Sequence, residues 1–191
     1  DDADYRGDSQ HAQADDTQGV WLHNFVWGQI NPGGLYELYW DQVNIVRHNL
    51  YFHFKAFRDF MDGVPLNNGR YADARAAASH ADLIALGQAD RQIGRGHLWL
   101  RHRDYTWWNV LNNVSITPIS GTVTLPEMSN GAYRVTWWDA WRGLPLTTTV
   151  ALAANNALTL TLPAPITSSI AVKFERDWPA RIIIPGVRRS N

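Results

Sequence analysis

The hydrophobic pattern of this chain changes period part-way along it. From Gly19 to Ile30 apolar residues recur at Val20, Trp21, Phe25, Val26 and Ile30, the spacing of a short helix. Asn31-Pro32-Gly33-Gly34 stops it with strong breakers. Leu35 to Trp40 is an aromatic and apolar run of strand length. Val46, Leu50, Phe54, Phe57 and Phe60 then repeat every three to four residues, predicting an amphipathic helix over 44–62 that Asp62-Gly63 and Pro65 end.

Beyond Asp82 the alternation is that of strands. Segments 82–87, 97–103, 114–125, 132–139, 146–153, 157–162 and 169–175 fit, most cleanly Leu158-Thr159-Leu160-Thr161-Leu162 and Ile170-Ala171-Val172-Lys173-Phe174. Asn130-Gly131, Arg142-Gly143 and Asn155-Asn156 supply turns. The spacing predicts a β-sandwich over 82–176. Residues 67–81 read as a linker with one helical turn around Ala72–Ala78. Residues 177–191 form a tail whose Ile182-Ile183-Ile184 run lies between prolines.

Composition narrows the function classes. The chain has 191 residues, 45% hydrophobic and 18% charged, which excludes a disordered polymer. No apolar run is long enough to span a bilayer. Seventeen basic against 18 acidic residues give a net charge of -1, which offers nucleic acid no global attraction. Cysteine is absent, which removes disulfides, thiolate metal sites and cysteine nucleophiles. The chain opens on Asp1 rather than Met, consistent with a processed or shortened sequence. The ten tryptophans are several times the usual share.

One strand between two helices cannot make a sheet alone, and the residues around it carry a resemblance. Gly19-Val20-Trp21-Leu22-His23-Asn24-Phe25-Val26-Trp27, then Gly33-Gly34, then Tyr39-Trp40-Asp41 resembles the end of a clan-A, cellulase-like or mannanase-like bacterial glycoside hydrolase barrel. Trp99–Trp107, Gly121–Pro126 and Gly131–Gly143 are similar to the small sandwich that follows such barrels.

The resemblance implies an α+β chain: the last β/α units of a TIM-type barrel over 1–66, then the antiparallel sandwich. A barrel takes about 250 residues, so about a fifth would be present. It implies a retaining glycosidase whose two catalytic Glu residues precede Asp1, so no catalytic residue is assigned within the chain. It also implies an extracellular setting, a polysaccharide or oligosaccharide partner, and the missing barrel or other chains completing the orphan strand. No cofactor and no metal are expected. The alternative is a non-catalytic carbohydrate-binding or structural subunit of an extracellular assembly.

The candidate substrate-binding residues are Trp40, Tyr39, Glu37 and Asp41. Trp40 closes the strand at the end where barrel sites lie, and its face suits the C–H surface of a pyranose. Packing against the following helix is the competing reading. Glu37 either lines the site or pairs with an arginine; Glu127 and Glu175, the only other Glu residues, read as surface charges. The histidines lack the i, i+4 spacing of a helical metal pair and read as structural. Adjacent tryptophans in a strand point to opposite faces. Half of the Trp137-Trp138 and Trp107-Trp108 pairs must therefore cover something outside the sandwich core.

Overall fold

The computed structural model describes residues 15–31 and 42–177. Helix α1 spans Val20–Gly28, α2 Gln42–Arg47 and α3 Tyr51–Met61, followed by a 3-10 turn at Leu66–Asn68. Strands follow at β1 Ala72–Asp73, β2 Ala77–Ala78, β3 Leu83–Asp90 and β4 Arg95–His102. Helix α4, Trp107–Leu111, interrupts them. Then come β5 Thr122–Pro126, β6 Gly131–Asp139, β7 Leu144–Ala153, β8 Ala157–Thr161 and β9 Ser169–Arg176.

The strands form a six-stranded sheet in the order β1-β3-β4-β9-β6-β7 and a three-stranded sheet in the order β2-β5-β8. Every pairing is antiparallel. Alternation sets the layers. Leu98, Leu100, Tyr133, Val135, Trp137, Val172 and Phe174 of the large sheet meet Val123, Leu125, Leu158 and Leu160 of the small one in a shared core. The opposite face of the large sheet presents Trp99 and Ala171, which Trp27 and Ile30 at α1 and Phe60 of α3 cover, with Trp138 alongside. Trp137 and Trp138 thus serve different layers, as alternation requires.

This arrangement corrects the barrel expectation. The described residues form a β-rich fold with four short helices, and nowhere does a helix connect two parallel strands as a barrel unit must. Helices α1 and α3 lie on a sheet face instead. The local pattern misled because an apolar stripe looks the same whether a helix wraps a barrel or covers an antiparallel sheet. The strand expected at Leu35–Trp40 lies outside the described residues. The two sheets share a core, so the α+β reading of barrel units followed by an antiparallel β-sandwich gives way to a β-rich fold of two facing antiparallel sheets with α1 and α3 on one.

Three local expectations change as well. The helix foreseen over 44–62 is two helices, because Asn49 adopts a left-handed backbone with φ 54° and breaks the run. The Ala72–Ala78 stretch is not helical. Arg75 at φ 51° turns the chain so that Ala72 pairs with Ala89 in one sheet and Ala77 with Thr124 in the other. Of 114–125 only the end is strand; Pro118, lacking an N–H, sits in the irregular part.

Candidate functional site

Trp40, Tyr39, Glu37 and Asp41 lie outside the described residues, so the candidate site is built from what the fold brings together elsewhere.

Where the helices meet the sheet, Asp16 fixes the start of α1. Its Oδ1 accepts the Val20 N–H at 3.0 Å and its Oδ2 the Trp21 N–H at 2.8 Å, satisfying donors that a helix start leaves free. Burial raises the Asp16 pKa, against those backbone bonds. This places His23 facing His53 of α3, Nδ1 to Nδ1, at 3.4 Å. His53 Nε2 lies 2.9 Å from the Gln18 carbonyl, and His23 Nε2 lies 2.8 Å from Ser169 Oγ at the start of β9. A carbonyl only accepts, so His53 Nε2 carries the proton and its Nδ1 accepts from His23. His23 Nε2 then accepts from the Ser169 hydroxyl.

Trp141 stacks on His23 with centroids 4.4 Å apart and planes 8° from parallel, and meets His53 edge-on at 4.9 Å. Burial lowers the His23 pKa well below the usual histidine value, with His53 adding to it. Burial also lowers His53 to about 4, against its bond to Gln18. Both rings are neutral at pH 7. A serine, a base and an orienting group in sequence is the order of a nucleophile relay, but His23 is fully buried beneath Trp141. The chain is a tie between α1, α3 and β9.

Both described glutamates are paired with arginines. Glu127 pairs with Arg75 and Arg91 on the surface. Glu175 lies between Arg95 and Arg134. Burial raises its pKa, but those arginines outweigh it and hold the carboxyl ionised. Among the described residues no group of three or more His, Asp or Glu could hold a metal ion.

The surface feature with binding chemistry is α4. Thr106 caps it, its Oγ1 accepting the Asn109 N–H at 3.2 Å, and Asn109 Nδ2 donates to the Asp104 carbonyl at 2.8 Å. Asn24 Nδ2 of α1 donates to the Tyr105 carbonyl at 2.9 Å, anchoring the helix to the body. On this short, fastened turn Trp107 and Trp108 meet edge to face at 5.6 Å. Trp108 is 51% exposed, whereas Trp27, Trp99 and Trp137 are buried. Leu111 and Val114 continue the apolar surface. The Trp-Trp pair was visible in the sequence; its helical placement was not, because Thr106 as a cap is legible only once Asp104–Thr106 is known to be a turn. The meeting of His23 and His53 left no short-range signal, since 30 residues separate them.

No known family model matches the sequence, and no curated protein matches it. The resemblance to clan-A glycoside hydrolases therefore finds no support in the comparisons, and the barrel end it implied is overturned by the antiparallel fold. No described helix is long and apolar enough to cross a membrane.

Proposed function

We propose that the chain is a non-catalytic carbohydrate-binding subunit of an extracellular assembly. The observation that carries the reading is Trp108, a half-exposed indole held on a capped helix fastened to α1. A sugar ring laid on an aromatic face gains apolar contact while its hydroxyls stay in water. A rigid platform loses little side-chain freedom on binding. The arginine pairing of Glu127 and Glu175 fits a binding role better than acid catalysis.

Affinity electrophoresis of the full chain through gels containing soluble β-glucan, xylan or mannan tests this. Retardation by one of them is expected. Trp108→Ala should weaken it about tenfold, the equivalent of ~1.4 kcal/mol, with unchanged thermal stability. Mobility unaffected by every polysaccharide would remove the carbohydrate reading.

A further inference from the structure

Among the described residues, strand β7 is the outermost strand of the large sheet, paired with β6 on one side only. Natural edge strands are usually blunted by charge, proline or a bulge. Here those devices sit at one end. Pro145 is the second residue of the strand, and the register shifts between Trp137 and Trp138 opposite it. From Leu146 to Leu152 the sequence Leu-Thr-Thr-Thr-Val-Ala-Leu carries no charge, no proline and no glycine. Leu146, Val150 and Leu152 are 57%, 69% and 75% exposed. Beside them lies a groove of ≈ 420 Å³ between β7 and β8, lined in part by Thr149, Ala151, Thr159 and Thr161.

We propose that this edge is an interface with a second copy of the same chain, the two β7 strands pairing antiparallel about Thr149 so that the large sheets join. The seven residues are close to palindromic in character. Centred on Thr149, Leu146 faces the second copy's Leu152 and Thr148 faces its Val150, so apolar and β-branched side chains meet directly across the strands on one face. A two-fold pairing needs a self-complementary patch, and an uncharged one brings no like charges together. This register is also the longest centred within the segment that leaves Pro145, which has no N–H to give, outside the pairing. Main-chain hydrogen bonds supply the affinity, as in other strand-addition complexes. An edge of seven residues buries less than a standard interface, so the dimer is concentration-dependent.

The absence of cysteine makes the register directly readable. In an antiparallel pair, residues directly opposite have Cα atoms about 4.5–5.5 Å apart, within disulfide range. Thr149→Cys should cross-link to itself under mild oxidation. Leu146→Cys should not, because its own counterpart lies six residues away, roughly 20 Å along the strand. The full chain should show a monomer–dimer equilibrium by sedimentation, and Val150→Lys should shift it at least tenfold toward monomer with its near-ultraviolet circular dichroism unchanged. A disulfide yield for Thr149→Cys at least tenfold above that for Leu146→Cys supports the pairing. A monomer at every concentration overturns it, as does a dimer in which the two cysteine variants cross-link equally or neither does. None of these readouts depends on carbohydrate.

Discussion

His97 shows how a single residue can work against the fold that contains it. It sits on β4 among Phe60, Tyr71 and Lys173, buried, with neither ring nitrogen bonded. Burial lowers its pKa to about 4, and the Lys173 ammonium adds to the effect. An unpaired buried polar group costs about 1–3 kcal/mol, and replacing it with an apolar group of similar volume removes that cost. His97→Leu should therefore raise stability at pH 7 by about 1 kcal/mol in urea denaturation. Loss of stability would show that the imidazole is satisfied in solution. Lys173 is the complementary case. Its Nζ donates to the Asp62 carbonyl at the end of α3 at 3.0 Å and lies 5.0 and 5.2 Å from the centres of the Trp138 and Phe60 rings. Lys173→Met keeps the apolar stem but loses the cation from both the rings and the helix end. The expected cost is about 1 kcal/mol, read as a lower urea midpoint with an unchanged slope.

At the scale of elements, the contact that seats α3 is its passage over the β6–β7 turn. Asp139 organises that turn, Oδ1 accepting the Trp141 and Arg142 N–H groups at 2.8 and 3.0 Å. Gly143 closes it at φ 67°, and a Cβ there would stand 2.6 Å from Ala56 Cα. Gly143→Ala meets both a left-handed backbone and helix backbone that cannot yield. It should cost at least about 2 kcal/mol and expose Trp141 to collisional fluorescence quenching. The same turn shows what the sequence made legible. Asn130-Gly131 and Arg142-Gly143 marked the ends of β6 correctly, and the Leu158–Leu162 and Ile170–Phe174 alternation located β8 and β9. Pairing order was not legible, because β9 inserts between β4 and β6 through contacts of long sequence separation. Nor could periodicity say what the helices cover. The apolar faces of α1 and α3 were readable, but their partner, the Trp99 and Ala171 face, only exists once the sheet is assembled. The four site residues read from the sequence fall outside the described part of the chain, while the His23–His53 tie and the α4 platform emerge from tertiary placement.

At the scale of the molecule, three of the four buried imidazoles among the described residues join its layers. His23 and His53 tie the helices to β9, and His97 lies between α3 and the sheet. All three have folded pKa values below the ordinary 6.5, His53 and His97 at about 4 and His23 well below its usual value. The unfolded chain therefore binds protons that the folded chain refuses, and stability must fall as pH drops through the interval between the two. The contribution is fully present above about 6.5 and is lost progressively toward 4, at about 3 kcal/mol for each of His53 and His97. Asp16 acts in the opposite sense, since its raised pKa lets the folded state take up a proton first. It is one group against three, and its ordinary range lies lower. A domain held by about 5–15 kcal/mol cannot absorb this change unnoticed. Urea denaturation at pH 7, 6 and 5 should show stability falling by more than about 1.4 kcal/mol per pH unit, the slope of one proton. His97→Leu should reduce that slope by about one proton, while Lys173→Met, which leaves His23 and His53 untouched, should retain most of it. A stability that stays level from pH 7 to 5 would mean that the imidazoles protonate without disturbing the layers, and would remove them as the fold's acid-sensitive joint.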